Sequence, residues 1–171
     1  MNHWKKVAIT LLLTTLPLAT SAFAAVTHRG GAVAAITTVT ESNPSTSQST
    51  SFADVPGAGV TITVPVGQTQ LVQARFTAES ACWWYSGAAY QFCSLRVLAD
   101  STEMLPKSGK DAAFDSNGQF DDAWEGNSME RALVLGPGMH RIKLQAAVTD
   151  PGISFTVDDW VFTVTQYNNG K

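Results

Sequence analysis

Short runs in which apolar and polar residues alternate dominate this sequence from residue 52 onward. The first places Val60, Ile62 and Val64 on alternate positions between threonines. Successive side chains of a β-strand point to opposite faces, so each run predicts a strand with one face in a core and the other in water. Runs of this kind lie at residues 60–64, 72–78, 93–97, 142–146 and 153–157.

Turn-forming sequences separate these runs, among them Pro56-Gly57, Gly136-Pro137-Gly138 and Asp150-Pro151-Gly152. No segment after residue 24 has the three-to-four-residue apolar spacing of an amphipathic helix. Many short strands with regular turns predict an all-β fold, and we expect an antiparallel two-sheet sandwich of the jelly-roll type. Closure into a barrel remains an alternative.

One change of phase marks the last run. The apolar residues occupy odd positions through Val157 and even positions from Trp160 onward. One extra residue near Asp158-Asp159 would produce this change, as a β-bulge does. The pattern predicts a single long strand from Ile153 to about Gln166, kinked at the two aspartates.

The first 24 residues have the pattern of a cleaved signal peptide. Lys5 and Lys6 precede an apolar stretch from Val7 to Leu18, and Ala22-Phe23-Ala24 fits a cleavage site. The apolar stretch is shorter than the roughly 20 residues that a membrane span needs. We therefore expect a secreted protein, extracellular or periplasmic, without a membrane anchor.

Export changes how the cysteines and the charge are interpreted. Cys82 and Cys93 are the two cysteines of the chain, and in an oxidising compartment they predict a local disulfide. Loss of Lys5 and Lys6 takes the formal net charge from −3 to −5. An acidic chain without a basic patch is not expected to bind nucleic acid.

The chain after residue 24 divides into two parts. Residues 25–51 predict a first strand near Val33–Thr40, followed by a Ser/Thr-rich loop, linker or exposed edge strand. Residues 52–168 contain all the alternating runs and are interpreted as the β-sandwich domain, whose length suits a single core.

Several sequence segments resemble secreted and viral jelly-roll modules. They are Ser49–Gly57 with Val60–Pro65, Ala74–Phe76, Glu79–Cys82, Cys93–Val97, Ala113–Ser116, Ser128–Arg131, Gly136–Gly138 and Asp158–Trp160. Together they are similar to a group of bacterial secreted β-sandwich proteins with no assigned activity. A more distant likeness to complement-C1q/TNF-type jelly rolls implies trimers. The resemblance implies a fold and supplies no catalytic residues.

The segment between the two cysteines is the main candidate binding site. A disulfide there would hold aromatic rings on a short loop, which suits stacking on a sugar or a protein surface. Neighbouring side chains on extended backbone point opposite ways, so one tryptophan can instead cover the core. The predicted ligand-binding residues are Trp83, Trp84, Tyr85 and Tyr90.

A second candidate is a calcium site in the loop that follows residue 114. Asp115, Asn117 and Asp121 carry oxygen ligands around Gly118, although the spacing is not that of an EF-hand. The same residue types are also common in ordinary turns, so a loop with no metal is the alternative.

Catalytic motifs are missing from the sequence. There is no Gly-x-Ser-x-Gly, no HExxH and no phosphate-binding loop, and His140 has the apolar phase of Ile142, which favours a core or rim position. A polysaccharide hydrolase would need a carboxylate pair. The candidates are Glu79, Glu125, Glu130 and Asp159.

The function predicted from sequence is therefore a secreted, non-catalytic binding or assembly module with a carbohydrate or protein partner. The alternatives are a jelly-roll polysaccharide hydrolase and a structural subunit of a surface assembly. The sequence does not predict an oligomeric state.

Overall fold

The computed structural model describes residues 30–84, 91–109, 112–117 and 123–168. The described chain forms ten β-strands, and within those ranges there is no helix. The strands are β1 (Val33–Glu41), β2 (Ser45–Ser47), β3 (Ala53–Val64), β4 (Gln70–Trp84), β5 (Gln91–Ala99), β6 (Thr102–Glu103), β7 (Asp115–Asn117), β8 (Glu125–Leu135), β9 (Gly138–Val148) and β10 (Ile153–Asn168).

The strands form two antiparallel sheets that pack face to face. One sheet has the order β1-β10-β4-β8 with β2 beside β10, and the other has the order β3-β9-β5-β6 with β7 beside β5. The first half of the chain pairs with the second as in a long hairpin: β1 with β10, β3 with β9, and β4 with β8. A long hairpin rolled into two sheets is a jelly roll, so the sandwich predicted from the alternating runs is confirmed.

The core lies between the two sheets and takes the alternate residues that the sequence predicted. Val60 and Ile62 of β3, Leu144 of β9 and Val72 of β4 are all buried. Phe76 lies at the centre of an aromatic cluster, with ring centroids 5.8 Å from Phe114, 5.8 Å from Trp160 and 6.4 Å from Phe162.

The predicted kink in the last strand is a β-bulge. The pairing of β10 with β4 shifts register between Asp158 and Val161, and Asp159 has a positive φ of 43°. The Asp159 N–H donates to the Asp158 side chain at 2.9 Å, which stabilises the irregular backbone. The extra residue lets both Val157 and Trp160 point into the core.

Residues 33–47 belong to the first sheet. β1 pairs with the second half of β10, and β2 within the Ser/Thr-rich segment pairs with Phe155–Val157. The two ends of the described chain meet, because the Asn168 N–H donates to the Ala32 carbonyl at 2.9 Å. In these ranges no helix has the length and apolar composition needed to cross a bilayer.

Candidate binding face beside the disulfide

The disulfide joins the two sheets at one end of the sandwich. Cys82 near the end of β4 and Cys93 near the start of β5 are bonded, with Cα atoms 5.9 Å apart. Both sulfurs point into the core, and both residues are buried. The predicted pairing is confirmed, and it indicates an oxidising environment outside the cytoplasm.

The two adjacent tryptophans at the end of β4 point in opposite directions. Trp84 continues the inward phase of Cys82 and packs against the core, where its indole N–H is buried without a hydrogen-bond partner in the described part of the chain. Trp83 points to the outer face of the sheet and is half-buried. Tyr85 and Tyr90 lie outside the described residues, so their predicted role remains a prediction.

Trp83 packs against a second tryptophan, Trp124, which no sequence pattern indicated as a binding residue. The rings of Trp83 and Trp124 are 6.4 Å apart and cross at 78°, edge to face. Trp124 directly precedes β8 and is 45% exposed. It lies outside any alternating run, so its only sequence signal was a large aromatic residue in a polar segment.

Small residues surround this tryptophan pair on the outer face of the sheet. Ser154 lies opposite Trp83, and Thr156 lies opposite Ala81. Although these three side chains point away from the core, Ala81 is 1% exposed, Ser154 6% and Thr156 9%. The Thr156 hydroxyl also hydrogen-bonds Thr46 of β2 at 2.9 Å. We call this surface, made of Trp83, Trp124, Ala81, Ser154 and Thr156, the aromatic face.

Two carboxylates lie on the same outer surface, next along the strands. Glu79 of β4 is directly opposite Asp158 of β10, and no lysine or arginine among the described residues lies within ion-pair distance of either. Side chains directly opposite each other in antiparallel strands have Cβ atoms about 5 Å apart. The surface beside the aromatic face is therefore acidic and rich in hydrogen-bond acceptors.

The other carboxylates considered for hydrolysis are dispersed. Glu125 pairs with Ser80, whose side chain has the opposite orientation to that of Glu79. Glu130 lies opposite Arg75, four residues along the strand from Glu79, which corresponds to about 13 Å. Asp159 lies in the bulge of β10.

The structure describes two of the three residues proposed for calcium, Asp115 and Asn117. The Asp115 side chain is buried between the sheets and accepts a hydrogen bond of 2.6 Å from the Ser80 hydroxyl, which in turn accepts one from Asn127. Asn117 ends β7, and Asp121 lies outside the described residues. No group of three or more His, Cys, Asp or Glu in the described ranges could hold a metal. The calcium site remains a prediction.

His140 lies at the rim of the sandwich, and both of its ring nitrogens face acceptors. Nδ1 is 2.9 Å from Asp100 Oδ2, and Nε2 is 3.0 Å from the Gly136 carbonyl. Only the imidazolium can donate to both, so the bond to Asp100 raises the pKa of His140. The pKa of Asp100 is lowered by the Arg141 backbone N–H and by His140.

We expect this contact to make stability depend on pH. A histidine whose folded-state pKa lies above its unfolded value of about 6.5 stabilises the fold below that value, and the contribution is lost as the pH rises through the folded-state pKa. His140→Ala should therefore lower the free energy of unfolding more at pH 5.5 than at pH 8.5. Urea unfolding of the wild type and the variant at both pH values measures this. Equal losses of unfolding free energy at pH 5.5 and pH 8.5 would contradict the assignment.

Comparisons with known proteins give no family for the chain. No protein-family model and no curated protein sequence gives a significant match. A structure of infectious bursal disease virus, Gx strain, is 13% identical with a TM-score of 0.32, covering 80% of this chain and 37% of that one. Dimeric latent PorU from Porphyromonas gingivalis is 13% identical with a TM-score of 0.26, covering 82% of this chain and 14% of its own.

The chain thus spans well under half the length of both structures. The two packed antiparallel sheets of the structure support the β-sandwich fold that the sequence resemblance implied. The resemblance is not supported for a particular bacterial family or for the complement-C1q/TNF type.

Proposed function

We propose that the protein is a secreted, non-catalytic binding module that recognises a neutral carbohydrate through the aromatic face. The single observation that supports this most is the perpendicular pair of Trp83 and Trp124 on the outside of a sheet. A tryptophan placed edge-on to another creates an angled apolar wall, and one flank of a sugar ring is apolar enough to pack on such a wall. The signal-peptide pattern of residues 1–24 supports secretion.

The accessible groups of this surface favour a ligand with an apolar flank and many hydroxyl groups. Ala81, Ser154 and Thr156 are at most 9% exposed, so the accessible apolar surface of this face comes from the two indoles. Binding sites of this kind combine aromatic surface with a few polar groups that fix orientation. Glu79 and Asp158 supply further acceptors for hydroxyl groups, and their negative charge disfavours anionic ligands.

Binding without catalysis is supported by the position of the carboxylates. Glu79 is exposed and Asp158 half-buried, and the two lie side by side on the outer side of one sheet. A glycosidase holds its two carboxyl groups on either side of the scissile bond, where one protonates the leaving group and the other attacks the sugar or activates water. Two neighbouring carboxylates on the same side of a ligand suit recognition of its hydroxyl groups.

The test is a glycan array followed by titration of the best neutral ligand. Trp83→Ala and Trp124→Ala should each weaken binding about tenfold, since an aromatic contact contributes up to about 1.5 kcal/mol. Met139→Ala is the matched control, because Met139 is 75% exposed on the other sheet. Trp84→Ala is unsuitable as a probe, because Trp84 packs on the core and its loss would affect folding.

Three outcomes would overturn this proposal. Wild-type protein that binds no glycan would exclude the carbohydrate ligand, and capture of a protein through Trp83 would replace it with a protein partner. Release of reducing sugar that disappears in Glu79→Gln would replace binding with hydrolysis.

A further inference from the structure

The outer edge of β1 is long, uncharged along most of its length and open to pairing. β1 is the last strand of its sheet, and no strand of the described ranges pairs with its other side. Its nine residues include no proline, glycine, lysine or arginine, and Glu41 at its end carries its one charge. Valine, isoleucine and threonine make up most of the rest. An exposed edge of this composition readily pairs with a strand of another chain.

The other sheet edges of the described chain are interrupted, covered or short. β3 contains Pro56 and Gly57, whose φ is 78°, and its pairing with β9 is irregular at this point. The outer side of β8 is bridged by Leu105, which exchanges hydrogen bonds of 2.8 and 2.9 Å with Ala132. β2, β6 and β7 have two or three residues each. Such features are the ones that protect a sheet edge from pairing, and β1 has none of them.

The register of β1 shows which of its backbone groups are free to pair. The Asn168 N–H donates to the Ala32 carbonyl, so Asn168 of β10 bonds towards β1. Every second residue of a strand bonds to the same side, so these bonds continue to positions 35, 37 and 39 of β1. The N–H and C=O groups of the residues between them therefore point to the free side, and these residues are Ile36, Thr38 and Thr40.

The side chains of β1 are also incompletely covered on both faces. Ile36 points outward and is 62% exposed. Thr37 and Val39 lie opposite the buried Val164 and Phe162 and so point between the sheets, yet both are only half-buried. One more strand beside β1 would cover these side chains as well as satisfy the free backbone groups.

We propose that this strand is β1 of a second copy of the chain, paired antiparallel about a two-fold axis at Thr38. Thr38 then lies opposite Thr38 of the second copy, and Ile36 lies opposite its Thr40, which together form about six backbone hydrogen bonds. Facing threonines are a favourable cross-strand pair. The half-buried Thr37 and Val39 cover each other across the axis.

The charge of the strand fits this register. Glu41 lies opposite Ala35 of the second copy, six positions from the other Glu41, so the two carboxylates are about 20 Å apart along the strands. No like charges therefore face each other between the two β1 strands. A two-fold contact of this kind uses the same edge of both copies, so it closes as a dimer and does not propagate.

The dimer would join the two β1-β10-β4-β8 sheets into one continuous sheet. Residues directly opposite each other in an antiparallel pair point to the same face, so the aromatic faces of both copies would lie on one side of it. The inference does not depend on the carbohydrate ligand, because Trp83 and Trp124 are not part of the paired edge. Trp83→Ala should dimerise as the wild type does, so failure of the carbohydrate proposal leaves this test intact.

Sedimentation velocity of the purified exported protein tests the proposal. One strand pair buries an area at the low end for specific complexes, so we expect a monomer–dimer equilibrium between about 10 µM and 1 mM. Amide hydrogen exchange by NMR identifies the edge. The amides of Ile36, Thr38 and Thr40 should exchange more slowly as the concentration rises, whereas those of Thr37 and Val39 should be protected at every concentration. A monomer throughout, or growth into larger oligomers, would overturn the proposal.

Charge substitutions at Thr38 test the two-fold register. Thr38→Lys and Thr38→Glu each place like charges opposite each other, so each should weaken dimerisation about fivefold or more. An equimolar mixture of the two should associate again, which also shows that both variants are folded. Thr63→Lys is the matched control, because Thr63 is an exposed threonine of β3, the edge strand of the other sheet. Dimerisation of Thr38→Lys at wild-type strength, or a mixture that stays monomeric, would contradict the register.

Discussion

Replacing Phe76 with alanine is expected to lower the free energy of unfolding by about 3–5 kcal/mol. Phe76 is fully buried and packs against the ring of Phe114, just before β7, and against those of Trp160 and Phe162 in β10. Its removal loses transfer free energy and leaves a cavity that neighbouring strands cannot close. Urea unfolding followed by tryptophan fluorescence measures the change.

Two further variants make this result interpretable. Val66→Ala, in the turn between β3 and β4, is the control, because Val66 is 95% exposed and its loss should change stability by no more than about 0.5 kcal/mol. Phe76→Leu should fall between the two. A loss below about 1 kcal/mol for Phe76→Ala would mean that the two sheets do not share a continuous core at this position.

Removing the disulfide is expected to have the second largest effect. The cysteines are 11 residues apart, and closing a loop of that size stabilises the fold by about 3 kcal/mol in the chain-entropy estimate. The Cys82→Ala/Cys93→Ala double variant should lose about that much, since alanine leaves no buried thiol without a partner. Thermal unfolding monitored by circular dichroism measures the loss.

A reducing agent supplies the control within the same experiment. It should lower the melting temperature of the wild-type protein towards that of the double variant and leave the double variant unchanged. Equal melting temperatures for both proteins without reductant would show that the bond contributes nothing to stability. Glycan titration of the double variant would also show whether the disulfide positions Trp83.

Period-two alternation was sufficient to predict the core faces of the sheets. Residues such as Ile62, Leu144 and Phe155 face the interior, because alternate side chains of a strand point to opposite faces and the apolar face is the one that packs inward. The change of phase between Val157 and Trp160 also predicted the bulge, since one extra residue between them lets both side chains point into the core. Spacing and compartment together were enough for the disulfide.

The composition of the aromatic face could not be predicted in the same way. Trp83 and Trp124 are 41 positions apart in the sequence and meet because β8 pairs with β4, and no local pattern specifies which strands pair. The inward orientation of Arg131 could not be predicted for a related reason. Its inward position follows from the register of β8 against β4. Without that register, a charged residue in a strand is expected to face solvent.

The ends of the described chain have a consequence for how this molecule could be attached to something else. Ala32 and Asn168 lie side by side at the Gln70 end of β4, while Trp83 lies thirteen residues away along that strand, about 43 Å. A resin or a fluorophore linked directly at Ala32 or Asn168 would therefore be remote from the tryptophans. Immobilisation through a side chain introduced at position 32 or 168 should therefore leave Trp83 accessible to a soluble analyte.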